Sequence, residues 1–263
     1  MPYISGLTAD TTPDVNADYL VVEKTAGTRK MLMKDALGIM ENAGYHNSIY
    51  RGKSLGTALS SAQAAAIANG KFTDMFIGDY WTINSKVYRI ADFMYWYNHG
   101  DTAFTTPHIC VVSDSLGTAR MEATNTTANG YVGSEMFTDN LSQFQTMVET
   151  AFGSAHVGTH RSYLCNAATD GKATGFAWTD HSVGLMNEPM VYGSYIRSEP
   201  YVTDDVKQLA LFRLSDQQLN ERVWFWLRDP VSSTSFARVD GGGTASVTYA
   251  SDSNNVRVAF PLI

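Results

Sequence analysis

The sequence predicts an α+β fold in which short strands dominate, two helices pack on them and long loops join them. Three observations carry this reading. Among 263 residues, 14 are Tyr, 12 Phe and 5 Trp beside 21 Gly, a mix that favours strands and turns over a helical bundle. Short β-prone runs recur between turn pairs such as Gly78-Asp79 and Asn84-Ser85. Few stretches repeat apolar residues at helical steps. A hydrophobic share of 44% supports one sizeable core plus a small accessory segment, and we divide the chain into residues 1–45 and 46–263.

In the first segment, Tyr19-Leu20-Val21-Val22 reads as a strand, residues 26–29 as its turn, and Lys30-Met31-Leu32-Met33 as the returning strand. Residues 34–40 follow with helical spacing. So small a unit buries little surface alone, and we expect it to pack on the main domain or associate around a threefold axis. Next comes a short helix opened by Ser60-x-x-Gln63, a capping box, and closed by Gly70. Met75-Phe76-Ile77, Tyr80-Trp81-Thr82-Ile83 and Val87-Tyr88-Arg89-Ile90 read as a three-strand meander. A second helix spans residues 138–152, because Leu141, Phe144, Met147, Val148, Ala151 and Phe152 recur at steps of three and four before Gly153. Residues 158–193, rich in Gly, Asn, Asp and Ser, read as long ordered loops. Four short strands follow at residues 223–227, 236–239, 245–249 and 256–260.

The charge of −7, with 19 basic and 26 acidic residues, argues against affinity for nucleic-acid phosphates or anionic lipid. No run approaches the roughly 18 apolar residues of a membrane span. Residues 1–14 lack the basic and apolar stretches of a cleaved leader, and two cysteines without a CxxC spacing fit synthesis in a reducing cytosol. Catalytic signatures are sparse. His156-x3-His160 has a metal-like spacing, yet Gly153 and Gly158 oppose a helix there and no carboxylate or cysteine ligand follows at a zinc spacing. Asp204-Asp205, and Glu135 with Asp139, are carboxylate pairs of the kind glycosidases use, but surface acids near turns and helix starts account for them. We therefore expect no catalytic residue, no metal and no cofactor.

The last forty residues are the most informative. Of residues 232–255, 16 are Ser, Thr, Gly, Asp or Asn, interrupted by single apolar residues such as Phe236, Val239, Ala245 and Ala250. Small polar residues on a regularly spaced apolar frame make an adaptable binding surface, as in antibody loops, though a plain exposed hairpin array has the same composition.

These blocks carry a resemblance. Trp224-Phe225-Trp226-Leu227-Arg228-Asp229, the spaced Phe236-Ala237 and Val239, the Gly-rich turn and the closing Val256-Arg257-Val258-Ala259-Phe260 resemble the ending of the C-type-lectin-like domains of phages and prophages of gut Gram-positive bacteria, a fold related to the formylglycine-generating enzymes. Phe76 to Ile83, Gly130 to Met136 and Arg161 to Asn166 extend the likeness over residues 46–263, and Val258 departs from it where the family has Pro. The family includes variable proteins of diversity-generating retroelements, whose codons near the C-terminus are rewritten. The resemblance implies a frame of Trp226, Leu227, Arg228, Phe236, Ala237, Val239, Ala245, Ala250, Val256, Arg257 and Phe260. It implies an exposed, diversified, ligand-binding set of Ser235, Arg238, Asp240, Gly241, Gly242, Thr244, Val247, Thr248, Tyr249, Asp252, Asn254 and Asn255. Residues 4–8, 18–22 and 28–30 are similar to the starts of phage tail-fibre and baseplate proteins.

The resemblance thus implies a receptor-binding or adhesion protein of the virion, assembled in the bacterial cytoplasm and homotrimeric. It would be attached to a tail or baseplate protein through its N-terminal segment and directed at a host-cell surface receptor, protein or glycan. An enzyme on the related fold and a bacterial surface ligand-binding protein are the alternatives. Calcium-dependent sugar binding is not expected, because Asn187-Glu188-Pro189 holds the lectin tripeptide out of order. The enzyme reading needs a cysteine pair at an active site, and Cys110 and Cys165 lie outside the C-terminal blocks.

Overall fold

A computed structural model describes residues 19–24, 27–32, 43–219 and 222–263. The chain divides into two compact units, Met1–Asn42 and Ala43–Ile263. In the first, β1 (Tyr19–Lys24) pairs antiparallel with β2 (Gly27–Leu32) from Tyr19↔Leu32 to Lys24↔Gly27; this is the expected hairpin, with Gly27, Thr28 and Arg29 in the returning strand where a turn was expected. The helix expected over residues 34–40 lies outside the described residues.

The second unit is an α+β protein dominated by sheets. After a short helix (Ala43–His46), β3 (Ser54–Gly56) leads to the helix Ser61–Ala68. Its capping box is formed as expected: Ser60 Oγ accepts from Gln63 N–H, and Gln63 Oε1 accepts from Ser60 N–H and from the Trp81 indole at 3.1 Å. The strand expected at residues 75–77 does not form, apart from a single Ile77 bridge to Tyr50. Asp79 is the reason: it is buried, takes the Phe76 N–H on its carboxylate and gives its own N–H to Phe76 O, which closes a turn there. Then β4 (Tyr80–Ile83) and β5 (Lys86–Phe93) form the expected hairpin, with positive φ at both Asn84 and Ser85 matching the twist of the flanking strands.

β6 (Ile109–Ser113) was not expected, yet all five of its residues are buried. β7 (Gly117–Ala119) precedes a π turn (Met136–Asn140) and the helix Leu141–Phe152, which buries Leu141, Phe144, Val148 and Phe152 and ends at Gly153 with φ 85°. Phe152 stands edge-on to Trp81 and Tyr88, with ring centroids at 5.6 and 5.1 Å, which seats the helix on the large sheet. Residues 158–193 are not long loops. β8 (His160–Thr169) and β9 (Lys172–His181) form a hairpin of two ten-residue strands turning at Asp170-Gly171, both with positive φ, and β10 (Gly184–Leu185) follows. Asp-Gly is a strong signal for such a two-residue turn, and the small residues Ala167, Ala168, Ala173 and Gly175 around it mask the strand pattern. Two more short helices, Glu188–Tyr192 and Ala210–Leu214, lie beyond, so the described residues hold more helices than the two expected, each added one of five residues or fewer.

The C-terminal strands are β11 (Phe225–Ser232), β12 (Ser235–Val239), β13 (Ala245–Tyr249), β14 (Asn254–Val256) and β15 (Val258–Leu262). They complete two sheets, one ordered β10-β15-β6-β5-β4-β3 and one ordered β13-β12-β11-β14-β7. The single strand expected at 256–260 is thus split at Arg257, whose buried guanidinium donates to Ser113 O at 2.9 Å and bridges the two sheets. Pro261 lies beyond the end of the two-residue β10, where its carbonyl accepts from Gly158 N–H at 2.9 Å and Leu262 bridges to Val157.

Candidate functional site

The eleven expected frame residues, Trp226, Leu227, Arg228, Phe236, Ala237, Val239, Ala245, Ala250, Val256, Arg257 and Phe260, are all buried. β11 runs between β12 and β14, and the Trp226 indole donates to Ala119 O on β7 at 2.8 Å, so the frame ties this sheet across its width. Within the set expected to be exposed, Gly242, Thr244, Val247, Tyr249 and Asp252 are in water, and Arg238, Asp240, Gly241, Thr248 and Asn255 are half-buried. Two positions depart from the expectation. Ser235 is buried at the tight β11–β12 turn, opposite Ser232 and Tyr249 in the two registers. Asn254 is buried in β14 opposite Ala119, with its Oδ1 accepting from Arg238 Nη1 at 3.3 Å. Both serve the frame.

What remains is a rigid platform. β12 and β13 pair over five residues without a bulge, and β13 is the edge of its sheet. At the turn between them, Asp240 Oδ1 accepts from Gly242 and Thr244 N–H at 2.8 and 2.9 Å, and Gly243 takes φ 84°. A second wall comes from residues that sequence reasoning missed. Glu188 is buried, and its carboxylate collects the N–H groups of Ile196, Arg197 and Ser198 at 2.9–3.1 Å together with the Ser198 hydroxyl. The loop so fixed sends Arg197 Nε to Ala245 O at 2.9 Å, while Tyr192 OH donates to Gly243 O. The only signal was Asn187-Glu188-Pro189, whose Asn187 caps the helix Glu188–Tyr192. Beside Gly242 and Gly243 opens a cleft of about 580 Å³ lined by Gln217, Gln218 and Arg222.

Beneath the platform lies a group of buried charges. Arg228 Nη2 meets Asp205 Oδ2 at 2.6 Å, and Trp96 Nε1 donates to Asp205 Oδ1 at 3.0 Å. Asp205 is therefore no surface acid. Burial pushes its carboxyl up, the adjacent guanidinium pulls it down, and the net shift is downward. His99 Nε2 sits 3.4 Å from Asp204 Oδ2, and this contact raises the imidazole above its ordinary value. Donor atoms of His99, Asp204 and Asp205 lie within 4.8 Å of one another, the one grouping among the described residues with the density of a metal site. Arg228 already compensates Asp205 and Asp204 Oδ1 accepts from Tyr163 N–H, while the buried Asp204 Oδ2 has only the His99 imidazole beside it. Asp229 is buried too, with its carboxyl pushed up to about 7 by desolvation although Tyr201 OH donates to it at 2.5 Å.

The structure does not bring His156 and His160 onto one helical face. His156 ends a 3-10 turn with its Nδ1 3.2 Å from Ile263 O, and His160 begins β8, its ring centroid 4.1 Å from that of Trp96 and 4.2 Å from that of His181. Burial holds His160 well below its usual value, hence neutral. Glu135 pairs with Arg120, and Asp139 lies exposed in the π turn. Cys110 and Cys165 are free, and burial raises both thiols, away from the nucleophilic thiolate.

Comparison with protein-family models, with curated proteins and with solved structures finds no match.

Proposed function

We propose that the chain is a phage receptor-binding or adhesion protein that presents the face built on residues 232–255 of a C-type-lectin-like scaffold to a host-cell surface receptor. The observation that carries this reading is the division of labour along these residues. Phe236, Ala237, Val239, Ala245 and Ala250 are sealed into a frame, while Gly242, Thr244, Val247, Tyr249 and Asp252 project from a strand and turn whose backbone is fixed by others. Such a face tolerates changes of side chain without changes of fold, which is what diversification of codons near the C-terminus requires. The resemblance of the ordered blocks supports the phage assignment. In the same reading the N-terminal hairpin belongs to a virion-attachment segment and the assembly is a homotrimer.

The test replaces Thr244, Val247, Tyr249 and Asp252 together. Binding to host cells is expected to change while the melting temperature holds, since exposed substitutions shift stability by about 0.5 kcal/mol or less each. Unchanged host binding in the folded variant would move recognition elsewhere. A reverse-transcriptase gene and a near-copy of the 3′ coding repeat beside the gene would separate the phage reading from a bacterial surface protein.

A further inference from the structure

We propose that His99, Asp204 and Asp205 form a binding site for one transition-metal ion, with Zn²⁺ the ion that their chemistry selects. The inference does not rest on the receptor-binding reading. Its donors come from two segments far apart in the chain. His99 lies in the connection from β5 to β6, where its backbone N–H donates to Trp96 O at 3.0 Å. Asp204 and Asp205 precede the helix Ala210–Leu214 and are tied down on both sides. Asp204 Oδ1 accepts from Tyr163 N–H on β8, and Asp205 O accepts from Asn187 Nδ2 at 2.9 Å. The Trp96 indole, donating to Asp205 Oδ1, joins the two segments.

What points to an ion is Asp204 Oδ2. This oxygen is buried and accepts no hydrogen bond from any described residue, although a buried carboxylate oxygen without a donor is costly. Its neighbour is His99 Nε2 at 3.4 Å. That separation is long for an N–H···O bond, which falls at about 2.7–3.2 Å. It matches the edge of a tetrahedron around Zn²⁺, about 3.4 Å when the bonds to nitrogen and oxygen are about 2.0–2.2 Å. A donor atom of Asp205 lies within 4.8 Å of both, and a movement on the order of 1 Å brings it to the same ion. Its hydrogen bonds do not stand in the way. Each carboxylate oxygen has two lone pairs, of which Arg228 takes one on Oδ2 and Trp96 one on Oδ1.

Charge and donor type decide the occupant. Two carboxylates face one buried guanidinium, so with His99 neutral the group carries an excess negative charge that a cation relieves. An imidazole nitrogen with carboxylate oxygens suits zinc and its neighbours in the first transition row, whereas Ca²⁺ and Mg²⁺ take oxygen ligands. The His99 side chain is 24% exposed, so solvent reaches the site and water can fill a fourth position. Bound there, the ion clamps the β5–β6 connection to the segment that holds β8.

The experiment titrates the untagged full chain, stripped with a chelator and dialysed, with Zn²⁺ and with Ca²⁺ by calorimetry. One equivalent of Zn²⁺ is expected to bind with a Kd of about 10 μM or tighter, at least about tenfold tighter than Ca²⁺. Excess Zn²⁺ should raise the melting temperature by about 4 °C or more. His99→Ala and Asp204→Asn, on separate segments, should each weaken Zn²⁺ binding by at least about tenfold, while His156→Ala leaves it unchanged. One measurement needs no variant to fold. Saturating Zn²⁺ should slow diethyl pyrocarbonate modification of His99 in the wild type by at least about fivefold, read by peptide mass spectrometry, and leave His156 as reactive as before. Absence of stoichiometric Zn²⁺ binding, full affinity in folded His99→Ala or Asp204→Asn, or unprotected His99 overturns the site. Tighter binding of Ca²⁺ than of Zn²⁺ overturns the assignment of the ion.

Discussion

Replacing Arg228 by Met would strip the compensating cation from Asp205. In the wild type the two groups are 2.6 Å apart and both are buried. At that separation Coulomb attraction is about 6 kcal/mol at an effective dielectric of roughly 20. Taking two ions out of water costs several kcal/mol each, so the intact pair adds little net stability. Breaking it is another matter. Asp205 would keep its indole hydrogen bond from Trp96 and lose its counter-charge, and removal of one partner from such a pair costs about 3–5 kcal/mol. For a chain of this size that corresponds to a fall of roughly 6–20 °C in melting temperature. Urea unfolding followed by circular dichroism measures the loss, and a cycle with Asp205→Leu isolates the coupling, since the double variant leaves neither member of the pair buried without its counter-charge and should recover a large part of the stability. A loss below about 1 kcal/mol for Arg228→Met, or single effects that simply add, would refute the assignment of this pair as a mutually dependent buried unit.

Three further outcomes are expected. The Asp229 carboxyl titrates near pH 7 in the fold against about 3.8 when unfolded, so its contribution is full below about pH 4 and is lost as pH rises toward 7. On going from pH 5 to pH 8 the wild type should therefore lose about 1–4 kcal/mol relative to Asp229→Asn, a difference that cancels the opposite contribution of buried, neutral His108, His160 and His181 present in both proteins. His99, raised by Asp204, acts in the same direction and remains in that variant. Trp226→Ala should cost about 3–5 kcal/mol and lose binding along with the fold, measured by chemical denaturation. Light scattering should report a trimer for the full chain and a monomer for a chain starting at His46, and a monomer in both would defeat the threefold assembly.

The parts of the fold legible in the sequence are those governed by local rules. Ser60 and Gln63 lie within one turn of each other, and Leu141, Phe144, Val148 and Phe152 share one helical stripe, so spacing alone places them. The frame of the C-terminal strands was legible through the family resemblance, which preserves spacing between sealed residues. β6 was not, because Ile109-Cys110-Val111-Val112 is an apolar run without alternation, and a strand buried on both faces leaves no period to read. The β8–β9 hairpin was hidden by its small residues. Ser235 and Asn254 look like their exposed neighbours, and only the pairing of β12 with β11 and of β14 with β7 buries them. The ion pair of Arg228 with Asp205 joins residues 23 apart whose proximity exists only after β11 and the segment before the helix Ala210–Leu214 have docked.

β15 enters its sheet between β6 and β10, strands made far earlier in the chain. During synthesis the larger sheet stays divided until residues 258–262 have left the ribosome, so the core closes only after every codon of 232–255 has been translated. A premature stop or a frameshift anywhere in that stretch deletes or scrambles β15 and yields a chain with an open core, which proteases remove. In-frame translation of residues 232–255 is thereby a condition for completing the larger sheet, because the strand that joins β6 to β10 is encoded after them.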